Sequence, residues 1–241
     1  MRPRTRWLTI IPALTALAFA AWWHERDVVH FTAATDPAFV ARFAPPPAAN
    51  SAQTRRELDE LLALQARRTE AEARAAQADR KTRVDRFYGA LGLGENPPSL
   101  PKLEALAEQV EDDVRIHVRA VKDHYRRLRP YKIETRLDPC IGDVRGDLSY
   151  PSGHAAFSWA MAGLLSDLVP ERRAALEARA EQFARQRMVC GVHFPSDLAA
   201  GRDAARWLLE QMRRQPDFQR RSADAARELR AALGLPPAPD S

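Results

Sequence analysis

Cysteine is nearly absent, with two residues, Cys140 and Cys190, in a chain of 241. That excludes a disulfide-dense scaffold and a zinc site built from cysteines. Glycine is scarce too, at 10 residues, and no glycine-rich nucleotide loop occurs. Nowhere do apolar and polar residues alternate as in a half-buried strand. Only one stretch is long and apolar enough to enter a bilayer, which excludes a multi-span membrane protein. Against these absences stand 45% hydrophobic and 29% charged residues, enough apolar mass for one sizeable core and too much for a disordered tail protein.

The apolar stretch lies at the N-terminus. Arg2, Arg4 and Arg6 precede 17 uncharged, mostly apolar residues from Trp7 to Trp23, and the first acidic residue is Glu25. A basic region, an apolar run and the small-x-small site Ala18-Phe19-Ala20 predict a signal peptide over residues 1–20, removed on export to the periplasm. The alternative is an uncleaved anchor reaching to about residue 23, at the short limit of a span and interrupted by Pro12. Either way the rest of the chain is expected to work outside the cytoplasm, where Cys140 and Cys190 can form one structural disulfide. The formal net charge of +5 shrinks without the three leader arginines, to 34 basic against 32 acidic side chains. A nucleic-acid partner would need a basic stripe that survives processing, so none is expected.

Beyond the leader the pattern is helical. Residues 21–50 are rich in Ala and Pro, with Pro45-Pro46-Pro47, and read as an extended arm long enough to wrap a second subunit. This allows a homo-oligomer, dimer or higher. Thr54 with Glu57 has the form of a capping box, and Leu58, Leu61, Leu62 and Leu64 begin an apolar stripe that continues to the Gly92–Gly94 turn. Leu103, Leu106, Val110, Val114, Val118, Val121 and Tyr125 step by three or four, predicting a long amphipathic helix that ends near Pro130. Residues 131–150 lack periodicity and read as a loop. Further helices are predicted from Gly153 to Pro170, over 171–189, from Pro195 through Met212, and over 222–233. The organisation is a single compact all-α domain over residues 51–235, with a disordered, proline-rich tail at 236–241.

Three clusters along this frame carry chemistry. Lys122 and Arg129 are seven residues apart, nearly two helical turns, so both cations are expected on about the same face; Pro130 turns the chain after them. Pro151-Ser152-Gly153-His154 leads directly into a helix, whose first N–H groups and positive dipole end suit an anion. Gly153 lets the backbone approach a ligand, and Ser152 can cap the helix and donate a hydroxyl. In the third cluster Arg187 offers a planar fork for phosphoryl oxygens. Asp197, in the first turn after Pro195, can reach back to His193 and fix its imidazole with Nε2 free. His24, His30, His117 and His124 are weaker candidates; only His124 lies close enough in sequence to Lys122 to approach a pocket rim.

The order and spacing of these residues resemble the type 2 phosphatidic-acid phosphatase superfamily, and within it the class A bacterial non-specific acid phosphatases. The family pattern Lys-x6-Arg-Pro, Pro-Ser-Gly-His, Ser-Arg-x5-His-x3-Asp reads here Lys122…Arg129-Pro130, Pro151–His154, and Gln186-Arg187…His193…Asp197. Gln186 departs from the family's Ser, which bears on rate or substrate preference. The resemblance implies the helical fold shared with vanadium haloperoxidases. It also implies hydrolysis of small phosphate monoesters with broad specificity, through a phosphohistidine and without cofactor or metal.

What the resemblance implies agrees with what the residues can do. Lys122, Arg129, Arg187, the Ser152 hydroxyl and the Gly153 N–H would hold the phosphoryl group. His193 would attack phosphorus with Asp197 orienting it, and His154 would protonate the leaving alcohol and then activate water. A vanadate-dependent haloperoxidase has a similar site but generally a longer chain. A catalytically weak periplasmic phosphate- or anion-binding protein is the alternative outside enzymes. A membrane lipid phosphatase is disfavoured by the single apolar segment, which would be lost on cleavage. A metal site from His154, His193 and Asp197 is disfavoured by the three cations beside it.

Overall fold

Proline opens many of the helices, where its fixed φ suits the first turn and its missing N–H would have had no partner. In the computed structural model, which describes residues 28–33, 37–142, 144 and 146–237, the order is as follows. Helix α1 spans Pro37–Ala41, α2 Ala52–Arg67 and α3 Glu70–Ala78. A 3-10 turn, Val84–Phe87, runs into α4, Tyr88–Leu91, and then comes the long α5, Pro101–Tyr125. The single turn α6, Pro130–Ile133, precedes α7, Gly153–Leu168, and α8, Arg173–Val189. The chain closes with α9, Pro195–Met212, and α10, Pro216–Ala232. No strand occurs among the described residues; one antiparallel bridge joins Leu128 to Leu148. The fold is all-α, as the periodicity predicts. The expected signal peptide and the end of the tail lie outside the described residues.

Helix α7 is apolar nearly all round. Ala155, Ala156, Phe157, Ala160, Met161, Ala162, Leu164, Leu165 and Leu168 are all buried, and a helix of that kind has to be surrounded. Helices α5, α8, α9 and α10 pack against it, α8 and α9 most extensively. The N-terminus of α7 therefore sits where the chain on either side of it must come together. A second, smaller core of Leu61, Leu64, Leu137, Met188 and Phe194 joins α2 to the loop after α6 and the end of α8.

The loop between α6 and α7 is held from several sides. Gln65 on α2 donates to Arg136 O at 2.9 Å and accepts from Asp138 N–H at 2.7 Å. Gln77 Nε2 donates to Cys140 O at 2.9 Å. Cys140 and Cys190 form a disulfide, Cα to Cα 4.8 Å, that ties this loop to the end of α8.

The elements differ from the sequence reading in three places. The N-cap of α2 is Ser51, whose Oγ accepts from Thr54 N–H at 3.1 Å, so Thr54 and Glu57 do not form a capping box. Glu57 is instead buried against Arg127, an interaction 70 residues away that no local pattern encodes. The reciprocal capping box belongs to Thr69 and Glu72, which start α3 after a break at Arg68. The last helix begins at Pro216, six residues before the expected start, because Pro216 supplies its first turn.

The third difference is the arm, which contains α1 and packs onto its own chain. Phe31 meets Phe218 edge-on at 5.2 Å, and Phe39 lies against His117 and Trp207. The N–H groups of His30, Phe31 and Thr32 all donate to the carboxylate of buried Asp113, at 2.6, 2.9 and 3.0 Å. The donors satisfy a carboxylate that α5 alone would leave buried and unpaired.

Candidate active site

A cavity of about 250 Å³ opens beside α5, with Lys122, Gly153 and His154 among the side chains and backbone that line it. Val114, Val118 and Phe157 form its apolar wall, and Thr82 and Glu111 lie further out. Thr82 donates its hydroxyl to the Glu111 carboxylate, yet burial still pushes that carboxyl up to about 7. A Cβ on Gly153 would meet only Val118 Cγ1, at 3.8 Å. Its missing side chain therefore relieves no clash and leaves the floor open to a ligand.

Arg129, Arg187 and His193 are buried and are not among the residues that line this cavity. The expectation that Lys122 and Arg129 share a helix face is not met, because α5 ends at Tyr125 with Arg126 left-handed at φ 50°. Arg129 stands instead on extended backbone ahead of Pro130, in the segment that pairs with residues 147–149 through Arg129 N–H to Asp147 O (3.0 Å) and Ser149 N–H to Arg127 O (2.8 Å). Successive side chains alternate there: Arg127 and Arg129 point inward, whereas Leu128 between them is 47% exposed. The two cations converge by a reversal of the chain.

Arg129 Nη1 lies 3.0 Å from His193 Nε2 and also donates to Val192 O, while Nε donates to Gly146 O at 2.9 Å. A guanidinium has only donors, so His193 Nε2 must present its lone pair and the ring proton must sit on Nδ1. Nδ1 faces Asp197 Oδ2 at 3.4 Å. Asp197 Oδ2 also accepts from Phe194 N–H at 2.9 Å, so the carboxylate closes the first turn of α9 while facing the ring. Burial pushes this carboxyl up, against the pull of Arg127 and the Phe194 N–H. Burial likewise lowers His193 well below its usual range, helped by Arg129, Lys122, His154 and Arg187. The imidazole is neutral.

The other predicted residues fall around this pair. Lys122 Nζ donates to Leu148 O at 3.0 Å, and burial with the neighbouring Arg129 lowers it to about 7. Arg187 donates through Nη2 to Ala76 O, one of the last carbonyls of α3, at 2.7 Å. Its Nε and Nη1 have no hydrogen-bond partner among the described residues, and burial lowers it to about 10. Ser152 caps α7 through Ala155 N–H at 3.3 Å, which uses a lone pair of Oγ and leaves its proton to donate. His154 stacks on Phe183 and donates Nε2–H to Arg80 O at 3.0 Å; burial and Arg187 lower it to about 3. Gln186 is buried, and its Oε1 has no partner among the described residues.

The weaker candidates stand apart. His117 is a core residue with Nδ1 on Asp113 O at 2.8 Å, His124 is exposed beside Tyr125, and His30 lies 3.6 Å from Asp112. His24 falls outside the described residues.

One cluster was missed in the sequence. Arg127 donates to Asp197 Oδ1 and Ser196 Oγ, both at 2.7 Å, and to Glu57 Oε2 at 2.9 Å. Arg127 passes for one more charge in a basic stretch. The available signal is its position two before Arg129, just ahead of a proline that forces extended backbone.

The segment from α5 to α9 that carries this arrangement, residues 114–215, matches the family described as the PAP2 superfamily. That segment is similar to a PAP2 domain over somewhat less than half of the chain. Among curated proteins the chain is 32% identical over 135 residues to a non-specific acid phosphatase of Providencia stuartii, covering 55% of this chain and 54% of that one. It is 30% identical over 155 residues to an acid phosphatase of Zymomonas mobilis, covering 63% and 58%. Similarity to a non-specific acid phosphatase of Salmonella typhi is 35% over 113 residues, covering 46% and 45%. The chain spans about half the length of the curated relatives it matches. The fold is similar to a crystal structure of a transmembrane PAP2-type phosphatidylglycerolphosphate phosphatase from Bacillus subtilis. That likeness has a TM-score of 0.50 at 16% identity, covering 73% of this chain and 89% of that one. No helix among the described residues is long and apolar enough to cross a membrane.

Proposed function

We propose that this protein is an exported acid phosphatase that hydrolyses small phosphate monoesters through a phosphohistidine, without a metal ion. The observation that carries the reading is the His193 tautomer: Arg129 on one side and Asp197 on the other leave the Nε2 lone pair as nucleophile. The likeness to non-specific acid phosphatases supports the substrate class.

The phosphoryl group sits among Lys122, Arg129, Arg187, the Ser152 hydroxyl and the Gly153 N–H, where its dianionic charge offsets the mutual repulsion of the cations. Arg129 exchanges its contact with Nε2 for a phosphoryl oxygen. Nε2 attacks phosphorus in line, the phosphorus–oxygen ester bond breaks, and the leaving alkoxide takes a proton from His154. Water then attacks the phosphohistidine, yields a proton to His154, and the nitrogen–phosphorus bond breaks to release phosphate. His154 already commits Nε2–H to Arg80 O, so Nδ1 is the nitrogen that gives and takes the proton.

Burial, with Arg187, Arg129 and Lys122 nearby, holds His154 at about 3. A bound phosphate brings compensating negative charge, which raises it. Phosphate monoesters have a second pKa of about 6, so at mildly acid pH the substrate monoanion also delivers the proton that His154 passes on. The cationic surroundings select an anion, and both ring nitrogens of His193 are engaged by Asp197 and Arg129, which leaves a divalent cation poorly served.

Hydrolysis of p-nitrophenyl phosphate between pH 4 and 8, with and without chelator, tests the reading, together with alkaline-quench trapping of labelled protein. Turnover unchanged by chelator and an acid-labile phosphohistidine are expected. Absence of label under rapid quench while product accumulates refutes the covalent route.

A further inference from the structure

Asp197 is fully buried, and a carboxylate there keeps its charge only with a cation against it. That cation is Arg127, at 2.7 Å from Oδ1. Arg127 is buried in turn, and its charge cancels that of Asp197. If the pair stood alone, His193 would face a neutral couple on one side. On the others it faces Lys122 from α5, Arg129 from the segment before α6, His154 from α7 and Arg187 from α8. Every remaining charge near the imidazole would oppose the positive charge it acquires when it bonds to phosphorus.

Glu57 changes this balance. Its Oε2 accepts from Arg127 Nη2 at 2.9 Å and from Ser196 Oγ at 2.9 Å, with its side chain 9% exposed. Ser196 Oγ accepts from Arg127 Nη1 at 2.7 Å, and the guanidinium carbon lies 3.8 Å over the Phe194 ring. The fork is thus clamped by three acceptors and an aromatic face, a geometry that a lysine ammonium does not reproduce. Glu57, Arg127 and Asp197 together carry one net negative charge, delivered at the Nδ1 side of His193.

We propose that Glu57 and Arg127 are positioning residues for His193. Arg127 holds Asp197 ionised and in register with Nδ1, and Glu57 restores the negative charge that Arg127 would otherwise cancel. The part of this that concerns catalysis rests on the phosphohistidine reading above; the part that concerns the tautomer of His193 does not.

The test has two arms, both on the full chain. In the resting protein, side-chain nitrogen-15 NMR of His193 is expected to show the Nδ1–H tautomer. In Arg127→Gln a mixture with Nε2–H is expected, because a protonated Asp197 donates to Nδ1 strongly enough to turn Arg129 Nη1 away from Nε2 and onto Val192 O, its other acceptor. An unchanged tautomer in Arg127→Gln overturns the proposal, and this readout needs no turnover. In the second arm Glu57→Gln, nearly isosteric and still able to accept from Arg127, should lower kcat for p-nitrophenyl phosphate about 10–100-fold, the scale of losing a partner that orients a catalytic group. Inhibition by inorganic phosphate should stay equal or become tighter, since one negative charge is gone. Parent-like kcat in Glu57→Gln overturns the proposal, and so does an equal weakening of phosphate inhibition, which marks a merely structural role. If Arg127→Gln does not fold, Glu57→Gln decides. If the parent chain hydrolyses nothing, the second arm falls with the phosphatase reading while the tautomer still decides the first.

Discussion

The main-chain N–H of Ser152 donates to the carbonyl oxygen of Asp197 at 2.9 Å, so the starts of α7 and α9 are bound to each other. This contact requires α9 to approach α7 closely, and Gly201 permits it. A Cβ at Gly201 would lie 2.5 Å from Ser152 O and 3.0 Å from Ala156 N, both main-chain atoms that cannot rotate away. Gly201→Ala is therefore expected to push the helices apart, destabilising the fold by about 1–3 kcal/mol and lowering kcat/KM. Thermal melts and steady-state kinetics check it; parent-like values in both would contradict the close approach.

His193→Ala removes the proposed nucleophile and should cut turnover by about 10⁴–10⁶. Far-ultraviolet circular dichroism and inorganic phosphate binding should stay close to parent values. Residual turnover near that of the parent would defeat the assignment.

The leaving group separates the role of His154 from that of His193. In His154→Ala, phenyl phosphate and alkyl phosphates are expected to lose about 10²–10⁴ in kcat. p-Nitrophenyl phosphate, whose phenolate leaves without help, should lose far less. Equal losses across such a series would count against a general acid.

The cations also make a pH-dependent statement. Lys122 is lowered from 10.5 to about 7 by burial and Arg129. As pH falls from about 10 towards 7 the unfolded chain takes up this proton before the folded one does. The Lys122 contribution to stability therefore declines across that window. A dianion bound beside it reverses the shift. Sulfate, which does not titrate near neutrality, should bind at pH 7 with net proton uptake, measured by calorimetry in buffers of different ionisation enthalpy. Binding with no proton uptake would place sulfate away from Lys122.

The disulfide closes a loop across 50 residues, from Cys140, between the first two site segments, to Cys190, inside the third. Replacing Cys140 and Cys190 with serine should cost about 4 kcal/mol by releasing the unfolded chain, visible as a lower midpoint in urea. Thiol titration of the denatured, unreduced protein should find none.

Much of the architecture is local and so could be read directly. The steps from Leu103 to Tyr125 place one face of α5 in the core, and the uniformly apolar run after Gly153 marks α7 as the central helix. Glu57 was misread for the same reason. Thr54 and Glu57 have capping-box spacing, and local spacing cannot reveal that Ser51 caps α2 instead. The arm looked free because nothing near it in sequence announces that Asp113, some 80 residues on, would hold three of its N–H groups.

Sequence alone determined the helical periodicity, the residue types able to bind a phosphoryl group, and the possible pairing of two cysteines, because each depends on composition or on neighbours a few positions apart. Tertiary structure alone decided that Arg129 reaches His193 by a chain reversal, that the proton of His193 sits on Nδ1, and that Arg127 bridges Glu57 to Asp197. Those outcomes depend on burial and on contacts between segments more than 60 residues apart. A charge removed from water takes whichever partner the fold brings to it.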